Sequence, residues 1–206
     1  MKSCPKEQAF LLKKPMLEDL IISKTRNKVL NLFLEQPEKI YHVREITRRV
    51  EEEINAVRRE LAFLEKKGIL RKEPRANRLY YGIRRDYPFF IDLLSLWSKM
   101  RGLGGSMLKN RAKLGKIKYA MMSGKFARNK ERAPEDVDIL VIGEVVLLEL
   151  ALLVRAEEAR RGREINYTVM TEEEFSFRKK RNDPFVQNIL LSSRVMLIGD
   201  EDELIR

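Results

Sequence analysis

The segment EEEINAVRRELAFLEKKGIL is the strongest constraint in the chain. Its apolar residues Ile54, Val57, Leu61 and Leu64 recur at helical spacing, while Asn55, Arg58, Arg59 and Ala62 fall on the opposite face. One stripe must be buried; the other is polar and cationic. Lys66 and Lys67 suit the negative end of a helix, and Gly68 after them accepts the left-handed turn that stops it. Two short alternating runs follow, ILRKEP and RLYYGI, joined by Arg75-Ala76-Asn77-Arg78. They predict a β-hairpin with a basic tip.

The preceding residues complete a unit. Thr25 to Gln36 places Val29, Leu30, Phe33 and Leu34 on one helical face and ends at Pro37, and YHVREITRRV reads as a shorter amphipathic helix with Val43, Ile46 and Val50 inward. Three helices and a hairpin in about 60 residues suffice for a small domain. Through YHVREITRRV, INAVRRELAFLEKKGIL and RLYYGI, the stretch Lys24 to Ile83 resembles the winged helix-turn-helix regulators of the arsenic-repressor-like and multiple-antibiotic-resistance-like groups. The resemblance implies double-stranded DNA as partner. Asn55, Arg58 and Arg59 would then enter the major groove, where arginine suits guanine and asparagine suits adenine. Arg75 and Arg78 would reach phosphate or the minor groove from the hairpin, and Arg44, Arg48 and Arg49 the phosphate backbone. Glu51, Glu52 and Glu53, read as the start of the recognition helix, depart from this pattern, because carboxylates there repel phosphate.

Composition narrows the function classes. With 206 residues, 44% of them hydrophobic, the chain can hold one large or two small domains. A lone cysteine, Cys4, and a lone histidine, His42, leave no disulfide framework, no Cys/His zinc cluster and no serine-histidine triad outside the helix-turn-helix region. The run Val145 to Val154 is interrupted by Glu149 and falls short of the roughly 20 residues that span a bilayer. No signal peptide is apparent, so no membrane association and a cytoplasmic location are expected. The formal charge of +11 is uneven: from Leu93 through Lys130 there is no acidic residue, which makes this stretch either a phosphate-facing belt or a basic linker.

After the hairpin, DYPFFIDLLSLWSKMRGLGG predicts a helix from about Pro88 with a broad apolar surface of Phe89, Phe90, Leu93, Leu94, Leu96 and Trp97. It packs on the helical domain or on its copy in a homodimer, and core packing explains the same residues. Gly102, Gly104 and Gly105 read as a hinge. Beyond them strand-like and helical runs alternate: KIKYAMM, VDILVIG, a helix from Val145 to Arg161, INYTVM, a helix opened by Thr171 with Glu174, and RVMLIGD. This order predicts an α/β sheet covered by helices.

Between its first two strands, SGKFARNKERAPEDVDIL resembles the signature of the nucleotidyltransferase superfamily, a glycine turn followed about ten residues later by two carboxylates on the next strand. The resemblance covers Ser106 to about Gly199. It implies that Asp136 and Asp138, pointing to one face, hold Mg²⁺ with a nucleoside triphosphate, while Gly124 and Lys125 approach the phosphates. Lys125 stands where the family has serine, and Asn166 where active members carry a third carboxylate; Glu164, two residues earlier, is the remaining candidate.

The expected fold class is therefore α+β. An N-terminal extension (1–22) precedes a winged helix-turn-helix (23–86), an apolar linker helix with its hinge (87–105) and a C-terminal α/β nucleotidyltransferase-like domain (106–206). The expected function is a DNA-binding transcriptional regulator whose second domain serves as an inactive sensing or assembly module. The alternative is a Mg²⁺-dependent minimal nucleotidyltransferase acting on protein or RNA, with the winged helix as docking module.

Overall fold

A computed structural model describes residues 22–206 apart from residues 77 and 132. The extension expected over 1–22, except its last residue, and Asn77 of the hairpin tip lie outside the described residues. Helix α1 (Lys24–Glu35) begins where the Ser23 hydroxyl accepts from the Arg26 N–H, and it buries Val29, Leu30, Phe33 and Leu34, the face expected from their spacing. Strand β1 (Ile40–His42) follows, then helix α2 (Val43–Val50), helix α3 (Ile54–Lys66) and strands β2 (Leu70–Arg75) and β3 (Arg78–Ile83). The three strands form an antiparallel sheet in the order β1-β3-β2, with Tyr41 opposite Tyr81.

Tyr41 and His42, expected in the first turn of a helix, are instead strand residues. His42 is extended and its Nδ1 accepts from the Arg44 N–H at 3.3 Å, so it caps α2, while Tyr41 is buried edge-on against Phe33. The acidic run is also displaced from its expected place. Glu51 ends α2 in the left-handed conformation (φ 54°), Glu52 pairs with Lys28 of α1 at 2.7 Å, and the Glu53 carboxylate caps α3 by accepting from the N–H groups of Asn55 and Ala56. All three residues make the turn between α2 and α3.

The apolar stretch after the hairpin forms helix α4 (Phe90–Met100), which sends Phe90, Leu94 and Trp97 into the chain's own core and leaves Phe89 and Ile91 exposed at 60% and 50%. The expected glycine hinge is the opening of helix α5 (Gly102–Lys109). A Cβ on Gly104 would stand 2.2 Å from the Ser98 carbonyl oxygen, so glycine here permits close packing of α5 on α4.

Strand β4 (Gly115–Ser123), the short helix α6 (Gly124–Ala127), strand β5 (Ile139–Val145), helix α7 (Leu147–Arg161), strand β6 (Tyr167–Met170), helices α8 (Glu172–Lys180) and α9 (Pro184–Leu191), strand β7 (Arg194–Ile198) and helix α10 (Glu201–Ile205) complete the chain. The sheet order is β6-β5-β4-β7, with β5 and β6 parallel and the other pairs antiparallel. The parallel pair is joined through α7, as a parallel connection requires. Alternation along β4 and β5 divides the core: Ala120, Met122, Ile139 and Val141 face one apolar cluster, whereas Tyr119, Met121, Leu140 and Ile142 face a second with Met170, Phe175, Val186 and Leu204. Both faces of this sheet are thus covered. The first cluster also contains Val29, Phe33, Leu61 and Trp97, so the helices before the hairpin and the four-stranded sheet share one core. Helix and strand account for 51% and 22% of the described residues, a mixed α+β composition.

The basic stretch from Leu93 to Lys130 is not a linker, since it runs through α4, α5, β4 and α6. Three of its lysines are ion-paired, Lys116 with Glu144, Lys118 with Glu172 and Lys125 with Asp136.

Candidate functional site

Two places gather the residues singled out from the sequence. The first lies on the surface of α2, α3 and β3. Burying Val57, Leu61 and Leu64 turns Asn55, Arg58 and Arg59 outward, and all three are exposed. Arg44 at the start of α2, Arg58 on α3 and Arg78 on β3 converge with His42 and Tyr81 on a cleft of ≈ 570 Å³. Arg44, Arg48, Arg58, Arg59 and Arg78 are exposed and have no ion-pair partner among the described residues. The other two arginines assigned to this surface differ. Arg49 is held by Glu45 at 2.9 Å and lies over the Tyr41 ring, and Arg75 is held by Glu73 at 3.0 Å and lies over Tyr80.

The second place is a pocket of ≈ 390 Å³ at the end of β4. Ser123 caps α6, its hydroxyl accepting from the Phe126 N–H at 3.1 Å, and the Gly124 N–H donates to the Ser193 carbonyl at 2.6 Å. A Cβ on Gly124 would meet the Ser193 side chain at 2.1 Å; the glycine is needed for this contact between the turn and the residue before β7. Asp136 and Asp138, expected on a strand, both precede β5. Their environments differ: Asp136 is half-buried and lines the pocket, while Asp138 is buried, at 1% exposure.

The partners of these carboxylates decide what they can hold. The same oxygen of Asp136, Oδ2, accepts from Lys125 Nζ at 2.6 Å and from the Ala133 N–H at 2.9 Å. Oδ2 of Asp138 accepts from the Asn166 N–H at 3.0 Å, and the Asn166 amide donates to the Asp136 carbonyl at 2.9 Å. Asn166 therefore ties the loop before β6 to the loop before β5. Glu164 is exposed on that loop, outside β6, and its neighbour Ile165 is buried. Among the described residues no three His, Cys, Asp or Glu side chains are grouped to hold a metal ion. A hard divalent cation wants several oxygen ligands, so the donor set here fits it poorly.

Sequence reasoning misses the other wall of the pocket. Phe185, Asn188 and Ile189 from α9, with Ser192 and Ser193 after it, face the glycine turn. The available signal is Asp183 before Pro184: the carboxylate caps Phe185 and Val186, and proline occupies the first helical turn. Equally unannounced is Glu157 of α7, buried at 5% exposure. Burial pushes its carboxyl up, but hydrogen bonds from Arg160 and Arg161 outweigh that and hold it below the usual carboxylate range. Arg160 reaches on to Glu35 of α1, linking the long helix of the sheet region to the first helix.

No family model, curated protein or solved structure matches the chain. Among the described residues no helix is long and apolar enough to cross a membrane.

Proposed function

We propose that the chain is a DNA-binding regulator, in which the segment 23–86 acts as a winged helix-turn-helix, α4 as the connection, and the four-stranded sheet region as a nucleotidyltransferase-like sensing or assembly module. The observation that carries this reading is the convergence of Arg44, Arg58 and Arg78, all without ion-pair partners among the described residues, on one cleft beside the exposed Asn55 and Arg59. Surface arginines of a stable domain are commonly matched by nearby carboxylates, as Arg49 and Arg75 are here. Unmatched guanidiniums on three different elements favour a polyanion. The spacing on α3 supports duplex DNA in particular: Asn55, Arg58 and Arg59 lie on one helical face, carrying paired donors for guanine and a donor-acceptor edge for adenine. Two of the three glutamates before α3 are engaged locally, Glu52 by Lys28 and Glu53 in the helix cap, which leaves Glu51 as an exposed carboxylate of that turn.

The test is fluorescence anisotropy with a site selected from random duplexes, compared with unselected DNA. Arg58→Ala together with Arg59→Ala should abolish the preference for the selected site, at about 1–3 kcal/mol for each base that is no longer read. Arg78→Ala should weaken all duplexes alike and lower the salt slope of binding by about one. Equal affinity of wild type and the double variant for the selected site would remove α3 from the mechanism.

A further inference from the structure

We propose that the pocket at the end of β4 is built to work without a divalent cation, because the ammonium of Lys125 is its cation. The argument begins with the chemistry of the two aspartates. Carboxylates one residue apart beside a glycine turn could share a hard cation only if their oxygens faced an open coordination sphere. Here Lys125 Nζ lies 2.6 Å from Asp136 Oδ2, a distance of charge-assisted contact, and the Ala133 N–H donates to that same oxygen at 2.9 Å. An ammonium carries its own protons as donors and has no lone pair, so it cannot join a metal's ligands; its charge repels one. The second carboxylate, Asp138, is withdrawn into the protein and accepts from the Asn166 backbone.

Lys125 is held where it is by its element. It follows the glycine that must approach Ser193, on a turn capped by Ser123, so its stem starts from a fixed backbone. The lysine is also the position at which this chain departs from the serine of the nucleotidyltransferase pattern. The departure supplies a positive charge internally, and among the described residues the charged side chains lining the pocket, Lys125, Glu135 and Asp136, sum to minus one. Among these described residues a triphosphate without its metal meets a net negative lining. Phe185, Ile189 and Asn188 on the opposite wall offer instead an apolar surface with an amide, which suits an uncharged ring-bearing ligand.

Manganese is the probe, followed by electron paramagnetic resonance on the full chain as wild type, Asp136→Asn, Lys125→Ala, Lys125→Met and Lys125→Ala with Asp136→Asn. Wild type should hold no Mn²⁺ ion more tightly than about 10⁻³ M, whereas both single variants should gain one site at least about tenfold tighter that the added Asp136→Asn removes. A wild-type site abolished by Asp136→Asn alone overturns the proposal. So does the failure of both single variants to gain a site while their circular dichroism matches wild type. Lys125→Met keeps the length of the stem against the turn, so one folded variant is retained if the truncation to alanine loosens α6.

Discussion

Glu157 shows how one side chain can carry a connection between distant elements. Its carboxylate accepts from Arg160 and Arg161, and Arg160 continues to Glu35 of α1. Its carboxyl is held below its ordinary value, so the contribution to stability is complete above the unfolded-state pKa and is lost as pH falls through the lower folded value. Glu157→Gln should therefore destabilise the protein near neutral pH by about 1–3 kcal/mol, because it leaves the Arg161 guanidinium without its charged acceptor and Arg160 with Glu35 alone. It should also flatten the acid limb of a stability-against-pH curve measured by urea titration; an unchanged acid limb would show that the carboxylate carries no linkage. Nothing in the sequence separates Glu157 from Glu158, since choosing between them needs the direction in which α7 faces. The run Glu51 to Glu53 is opaque for a related reason. As sequence it is one repulsive block of three charges, whereas the folded chain gives each a separate local partner or conformation.

Elements with strong periodicity are legible in the sequence, and short or tightly packed ones are not. The buried faces of α1, α2 and α3 follow from the spacing of Val29, Phe33, Ile46, Val57 and Leu61, because a helical stripe must be buried whatever covers it. Strand β1 has three residues and no alternation to announce it; its pairing with β3 comes from tertiary contact. The glycines after α4 mislead in another way. A glycine permits a bend and also permits contact, and composition cannot tell the two apart. Gly104→Ala tests the second role: its Cβ would stand 2.2 Å from a backbone oxygen that cannot move without shifting α4. The substitution should cost about 1–3 kcal/mol by overpacking, read as a lower denaturation midpoint with an unchanged urea slope. A flexible hinge would instead tolerate alanine or be stabilised by it. The pocket is half legible, since its glycine turn and aspartates carry a recognisable spacing while α9 contributes through topology alone.

At the scale of the whole molecule, the proposed DNA-binding segment and the sheet region are not independent bodies. One apolar cluster includes Val29 and Leu61 on the first side and Val141, Val154 and Ile198 on the other, with Phe90, Leu94, Trp97, Leu103 and Met107 of α4 and α5 between them. Opening that junction would expose Trp97, which is only 6% accessible, and break the link from Arg160 to Glu35. Exposing even a few such side chains costs about 1.5–3 kcal/mol each, a large fraction of the roughly 5–15 kcal/mol that holds a domain folded. The two parts should therefore unfold together. Scanning calorimetry of the full chain should give a single transition whose calorimetric and van't Hoff enthalpies agree. Gly104→Ala at the junction should lower that one transition by roughly 2–4 °C for each kcal/mol of destabilisation, without splitting it. Two resolved peaks in the wild type would mean that the shared cluster does not couple the parts.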